Sequence, residues 1–139
     1  MVGVILTGHG NFADGLFSAV QLVAGPQDKF RVVNFVEGDS TDVLQQKLRA
    51  AAAELGGTEL VFLTDIAGGS PFNQSALLAN TLVQECRVFS GTNMPFLLQV
   101  LFDRAEDLAA LEARWLGGEI QVSAFHPKKK AQHVQEGGI

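Results

Sequence analysis

The chain has 139 residues, of which 47% are hydrophobic, with a formal net charge of −5 and a single cysteine. This length fits one domain with enough apolar material for a substantial core. The negative charge argues against a general nucleic-acid binder, and the lone cysteine excludes an internal disulfide framework. No apolar run approaches the roughly 20 residues that span a bilayer, and the N-terminus does not resemble a secretory signal. We therefore expect a cytoplasmic protein.

The first elements of the chain are organised around a histidine between two glycines. The apolar run Val2–Thr7 predicts a buried strand, and Gly8-His9-Gly10 is expected to break it. Asn11 can cap the helix that follows, and this helix is predicted to end near Gly25-Pro26. Glycine on both sides of the histidine permits unusual backbone angles and close approach by another molecule. The histidine is therefore a candidate functional residue, although it could equally cap the end of the strand.

Three further apolar runs predict strands, and helical patterns separate them. The predicted strands are Phe30–Val36, Leu60–Thr64 and Cys86–Ser90. Asp39 or Ser40 can cap the second helix, which Gly56-Gly57 ends. Ser70-Pro71 predicts the start of the third helix, with Ser70 as N-cap and Pro71 at the first helical position.

The last part of the chain is predicted to contain an interrupted helical region, an edge strand and a tail. Gly91–Pro95 is predicted to turn into the helical region, which runs through Trp115 and is broken by Gly117-Gly118. Glu119–Phe125 alternates apolar and other residues, which is typical of a half-buried or edge strand. Residues 126–139 are polar and are expected to form a loosely held tail.

The alternation of strands and helices predicts an open, mostly parallel, doubly wound α/β sheet with helices on both faces. In such sheets the working site lies beyond the carboxyl ends of the strands, where the strand order reverses. His9 follows the first strand, and Asp65 follows the third. If those strands are neighbours, the two side chains face each other, and Ser70 opens the helix that borders them.

This group of residues suits phosphoryl transfer. A neutral imidazole is a competent nucleophile near neutral pH, and a carboxylate at Asp65 can fix the tautomer of His9. Gly68, Gly69 and Ser70 at a helix N-terminus offer backbone N–H groups, a hydroxyl and a positive helix end to an anion. Taken singly, Asp65 also fits a loop carboxylate and Ser70 a simple helix cap. Their joint placement favours a site.

Three blocks of the sequence carry a family resemblance: VILTGHGNFADGL, FLTDIAGGSPFNQSA and SGTNMPFLL. They resemble the IIA components of the mannose family of bacterial sugar phosphotransferase systems. The resemblance implies that His9 accepts a phosphoryl group from HPr and passes it to a separate IIB component. It also implies that Asp65 is the partner of His9 and that Ser70 contacts the phosphate. Membrane IIC and IID components would take part indirectly, and neither a metal nor a cofactor is expected.

The same resemblance implies a fold and an assembly. Those proteins have flavodoxin-like sheets, here with four parallel strands in the order 2-1-3-4. They are homodimers in which a C-terminal antiparallel edge strand, here Glu119–Phe125, is exchanged with the partner. Residues 1–125 would form the IIA domain and residues 126–139 the tail. The chain length and its last residues resemble the N-acetylgalactosamine or galactosamine branch.

Three alternative functions stay open at this point. A dihydroxyacetone kinase phosphotransfer subunit shares the fold and the histidine, although the TGHG and GGSPFN blocks look more like the transporter branch. A response-regulator receiver would use Asp65 as phosphoacceptor, but it needs acidic metal ligands where Thr7-Gly8-His9 stands. A non-catalytic anion-binding module would use His9 and Ser70 only to hold a ligand.

Overall fold

The structure is a computed structural model that describes residues 1–118. The predicted strand Glu119–Phe125 and the tail 126–139 lie outside the described residues. The strands are β1 (Gly3–His9), β2 (Phe30–Phe35), β3 (Glu59–Thr64) and β4 (Glu85–Phe89). The helices are α1 (Phe12–Ala24), α2 (Thr41–Leu55), α3 (Ser70–Ala79), α4 (Met94–Phe102) and α5 (Leu108–Gly117). Strands and helices thus alternate as predicted, and the expected interruption of the last helical region separates α4 from α5.

The four strands form one parallel sheet in the order β2-β1-β3-β4, which confirms the predicted fold. The chain moves from β1 outward to β2 and then returns past β1 to β3. The strand order therefore reverses between β1 and β3, whose carboxyl ends are neighbours: Thr7 pairs with Thr64. A crevice for a ligand or a reacting group is expected at this reversal.

Helices cover both faces of the sheet and create two hydrophobic cores. One core joins α1, α4 and α5 to side chains such as Leu6 and Leu63, and the other joins α2 and α3 to Ile5 and Phe62. The residues from Gly3 to Gly8 are all buried because β1 is covered on both faces, which explains its nearly continuous apolar sequence. The central strands β1 and β3 are thus fixed by packing on both faces, and they hold the residues at their ends in place.

The break predicted at Gly8-His9-Gly10 is wrong, because β1 continues through His9. Gly8 pairs with Asn34 and His9 pairs with Phe35, and the Gly10 N–H donates to the Phe35 carbonyl at 2.8 Å. These pairings with β2 keep the backbone extended through His9. The turn comes at Gly10, where φ is +57°. His9 is therefore the last residue of a strand rather than part of a turn.

The helix ends follow the predicted signals with two exceptions, at α1 and α3. Asn11 stands at the N-cap of α1, but its side chain makes no capping hydrogen bond. Ser40 caps α2, because its hydroxyl accepts a hydrogen bond from the Val43 N–H at 3.1 Å. At α3 the N-cap is Gly69, not Ser70, since the backbone is still extended at Gly69 (φ −74°, ψ 166°). Ser70 is consequently the first helical residue and Pro71 the second. Within residues 1–118, none of the helices has the length and apolar character that a membrane span requires.

Candidate functional site

His9 and Asp65 meet at the carboxyl ends of the two central strands. His9 ends β1, and Asp65 comes directly after β3. One carboxylate oxygen of Asp65, Oδ2, accepts a hydrogen bond from the His9 backbone N–H at 2.8 Å. The same oxygen lies 2.6 Å from Nδ1 of the His9 ring. The predicted proximity of these residues is thus confirmed, and Asp65 holds both the backbone and the ring of His9.

The Asp65 carboxylate is ionised and fixes the tautomer of the histidine. Burial alone raises the pKa of Asp65, but hydrogen bonds from the backbone N–H and ring of His9 and from the Ile66 N–H outweigh it and lower the pKa. A charged acceptor at 2.6 Å places the ring proton on Nδ1. The lone pair then resides on Nε2. Because the His9 side chain is 45% exposed and that of Asp65 only 11%, the imidazole rather than the carboxylate is open to the surroundings.

Two glycines allow this arrangement by their lack of a side chain. A Cβ atom at Gly8 would lie 2.5 Å from the Phe12 ring and 3.1 Å from Asp65 Oδ2. A Cβ atom at Gly69 would lie 2.8 Å from Cε1 and 3.5 Å from Nε2 of His9. Distances below 3.0 Å are not compatible with a real Cβ without displacement of its neighbour. These glycines thus serve close contacts within the protein itself, rather than only the approach of another molecule.

The start of α3 offers a narrower anion cradle than the sequence suggested. The Gly69 N–H already donates to the Ile66 carbonyl at 3.3 Å, and Pro71 has no N–H. The Gly68 carbonyl accepts a hydrogen bond from the Asn73 side chain at 2.9 Å, which orders the loop. Among residues 1–118, no acceptor engages the N–H groups of Gly68 and Ser70 or the Ser70 hydroxyl. These groups, together with the positive end of α3, are therefore free to bind an anion.

Phe35 also lies at the site, although the sequence alone did not indicate it. Its ring lies edge-on to the His9 ring, with centroids 5.9 Å apart and an interplanar angle of 67°. Phe35 ends β2 and pairs in register with His9 at the end of β1. The predicted strand order could have indicated Phe35, because the last residues of two neighbouring parallel strands lie side by side when the strands end in register.

Residues 1–118 contain no group of three or more His, Cys, Asp or Glu side chains that could hold a metal ion. The chemical resources of the site are therefore one exposed imidazole nitrogen, one buried carboxylate and the polar groups at the start of α3.

A comparison with known protein families identifies the chain. Residues 3–114 match the family model described as the phosphotransferase system (PTS) fructose IIA component. The chain belongs to this family of IIA components. The PTS fructose-specific EIIA component of Bacillus subtilis is 34% identical over 103 residues, which cover 73% of this chain and 69% of that relative. The PTS mannose-specific EIIAB component of Escherichia coli K12 is 30% identical over 107 residues, and this chain spans only 33% of its length.

Solved structures agree with this assignment. The phosphotransferase system component EIIA from Streptococcus agalactiae superposes with a TM-score of 0.78 at 31% identity, covering 84% of this chain and 90% of that one. A mannose/sorbose-specific IIA subunit from Enterococcus faecalis gives a TM-score of 0.81, but at 24% identity it supports the fold alone.

As a IIA component, the protein is a phosphoryl carrier in sugar uptake and a phosphotransferase that works through a phosphohistidine. IIA components take their phosphoryl group from HPr and pass it to a IIB component. These findings do not favour the kinase-subunit, receiver or anion-binding alternatives.

Proposed function

We propose that His9 is the phosphoacceptor of this IIA component, with phospho-HPr as donor and a IIB component as acceptor. The observation that carries the proposal is the 2.6 Å contact between Nδ1 of His9 and Oδ2 of Asp65. It keeps the Nδ1 side of the ring occupied and leaves the Nε2 lone pair for the reaction. His9 is also the one histidine of the described residues 1–118.

The transfer step is an exchange between two imidazoles. The Nε2 lone pair of His9 attacks the phosphorus of the donor phosphohistidine, and a new N–P bond forms. The N–P bond of the donor breaks, and its electron pair stays on the donor ring, which leaves as a neutral imidazole because its other nitrogen is protonated. The His9 ring retains its Nδ1 proton and becomes positively charged as the bond forms. The adjacent Asp65 carboxylate stabilises that charge.

The proposed phosphate contacts come from neutral groups at the start of α3. The N–H groups of Gly68 and Ser70 and the Ser70 hydroxyl are available there, and Gly69 packs against the His9 ring. No Lys or Arg occurs in residues 8–14 or 65–73. Neutral donors hold a phosphoryl group less strongly than an Arg or Lys clamp would, and this suits a carrier that must release it again.

The experiment that tests the proposal is phosphorylation of the purified protein by phospho-HPr. The product should be an acid-labile phosphoprotein whose phosphopeptide contains His9. Addition of the cognate IIB protein should discharge it. Phosphate on a different residue would refute the proposal.

The docking face proposed for HPr and IIB is an apolar strip through the reactive histidine. Val36 follows β2 and Ile66 follows β3, so they lie on either side of His9 at the end of β1. These two residues are 38% and 62% exposed, so both present apolar surface beside the site. Glu37 and Asp42, both exposed, add negative charge to the same edge of the sheet. The strip therefore suits partners with an apolar surface ringed by basic residues.

Replacement of Ile66 by Ser should raise the KM for phospho-HPr about tenfold, since loss of part of a buried apolar contact costs on the order of 1.4 kcal/mol. The value of kcat should change little, because the Ile66 backbone groups that bind Asp65 and Gly69 are retained in the variant. The measurement is the initial rate of labelling at increasing phospho-HPr concentrations. Val83→Ser is the matched control. Val83 is fully exposed and precedes β4, so it lies at the amino ends of the strands, away from His9. An unchanged KM for the Ile66 variant would remove Ile66 from the docking face.

We also propose that the protein is a homodimer held partly by exchange of Glu119–Phe125. The proposal rests on the alternating sequence of that segment and on the sheet of residues 1–118, whose edge strands β2 and β4 each have one unpaired side. Truncation before Glu119 should therefore give a monomeric or unstable protein. Light scattering measures this, and a truncated protein that stays a well-folded dimer would contradict the exchange.

The remaining proposals concern the wider system. We place the IIA domain at residues 1–125 with a polar tail at 126–139, and we place the protein in the cytoplasm, where it would serve membrane IIC and IID components indirectly. For the sugar we propose N-acetylgalactosamine or galactosamine, the branch that the sequence resembles. The relatives named above are described as specific for fructose and mannose. Uptake assays with these sugars in a deletion strain distinguish the possibilities.

A further inference from the structure

The His9 ring is contacted from three directions, and only one of these contacts is a hydrogen bond. Asp65 binds Nδ1, the Phe35 ring stands edge-on at 5.9 Å, and the Gly69 backbone lies so near Cε1 that a Cβ atom there would be 2.8 Å from it. A hydrogen bond at Nδ1 fixes the tautomer but still permits the ring to tilt about the N–H···O axis. The two packing contacts oppose that tilt, so they determine the direction in which the Nε2 lone pair points.

Phe35 is itself fixed relative to His9 by the backbone. The two residues pair in register at the ends of β2 and β1. The Phe35 carbonyl accepts the hydrogen bond from the Gly10 N–H at 2.8 Å, one residue beyond His9. The Phe35 side chain also packs against the core under α2. The Phe35 ring is therefore held in a fixed position beside the imidazole.

We propose that Phe35 is a positioning residue for phosphoryl transfer: its ring holds the plane of the His9 imidazole so that Nε2 points at the phosphorus of the docked donor. The proposal rests on the proposed function of His9. Misplacement of a reacting group by about 1 Å can cost on the order of 100-fold in rate. A modest tilt of an otherwise intact imidazole should cost less, about tenfold.

The test compares three substitutions in the full-length protein. Phe35→Leu keeps an apolar side chain but removes the flat ring, and Phe35→Tyr keeps the ring. Phe89→Leu is the matched control: Phe89 also ends a strand, β4, but its ring contacts Phe96 and Trp115 instead of His9. If Phe35→Leu lowers the stability too far, Phe35→Met replaces it, since Met fills space without a planar ring.

The readouts separate positioning from docking and from damage to the nucleophile. With phospho-HPr, Phe35→Leu should lower kcat about tenfold and leave KM within twofold, whereas Phe35→Tyr and Phe89→Leu should stay within twofold of the parent protein in both. With phosphoramidate, a small donor that approaches from any direction, Phe35→Leu should react at the parent rate. This last result would show that His9 is still a competent nucleophile.

Several outcomes would overturn the inference. An unchanged kcat for Phe35→Leu, an effect confined to KM, or an equal loss in Phe89→Leu would each show that the Phe35 ring does not position His9. A loss with phosphoramidate as large as that with phospho-HPr would show general damage to the site instead. Absence of phosphate on His9 in the parent protein would refute the proposed function, which is a different result from a Phe35 variant that labels normally.

Discussion

Replacing His9 with Ala should abolish phosphorylation of the protein by phospho-HPr. The substitution removes the exposed imidazole nitrogen, and the carboxylate beside it is only 11% exposed and already engaged by the His9 backbone N–H. His9 is the one histidine of residues 1–118, so no second imidazole of that part of the chain can replace it. We expect labelling to fall by at least three orders of magnitude, to the background of the assay, because the covalent intermediate itself is lost. Quantitative labelling followed by mass spectrometry measures this.

The controls for this prediction are the other two histidines and the chemistry of the bond. His126 and His133 lie in the predicted polar tail, outside the described residues, so their replacement by Ala should leave labelling within twofold. A phosphohistidine is labile to acid and stable to base, whereas an acyl phosphate on Asp65 would be cleaved by hydroxylamine. Phosphate mapped to His126, His133 or Asp65 would contradict the mechanism.

The strand order and the proximity of His9 to Asp65 could be predicted because the sequence marks them physically. β1 and β3 are covered on both faces, so they show as nearly continuous apolar runs bounded by glycine or polar residues. Once they are neighbours, the residues that follow them must share one edge of the sheet. The His9–Asp65 contact follows from this topology.

The finer features of the site depend on contacts that a linear pattern does not contain. The glycines around His9 predicted a strand break, but pairing with β2 overrides that local preference and extends β1 through His9. Gly69 rather than Ser70 caps α3, because the Gly69 carbonyl accepts the first bond of the helix, from the Asn73 N–H at 2.8 Å. The position of the Phe35 ring beside His9 depends on the register between β1 and β2, which the linear sequence does not reveal.

The Asp65 carboxylate should accelerate phosphorylation without receiving the phosphate. The pKa of Asp65 is lowered from its ordinary value of 3.8. The carboxylate is therefore ionised at every pH above 3.8, and it stays ionised at lower pH until the lowered pKa is reached. Because the folded pKa is below the unfolded one, the contribution of Asp65 to stability is present at neutral pH and is lost only as the pH falls through the lowered value. The pH dependence of labelling above about pH 5 should therefore contain no step from Asp65.

Asp65→Ala should reduce the labelling rate by about 10²- to 10⁴-fold, at most the effect of removing the carboxylate in Ser-His-Asp sites, while phosphate still appears on His9. The loss has two origins, since Oδ2 binds both the Nδ1 side of the ring and the His9 backbone N–H. Asp65→Asn should fall between Ala and the parent protein: an amide oxygen can still accept from the backbone N–H, but it carries no charge to stabilise the ring.

Rapid-quench measurements of single-turnover labelling distinguish these three proteins. The matched control is Asp103→Ala, since Asp103 pairs at 2.7 Å with Arg114, outside the site, and its loss should leave the rate within twofold. A labelling rate of Asp65→Ala equal to that of the parent protein would show that His9 needs no carboxylate to select its tautomer. A complete loss, with the circular dichroism spectrum unchanged, would show instead that the carboxylate is indispensable to the covalent step, and the assignment of Asp65 as a group that only orients and stabilises the imidazole would then be wrong.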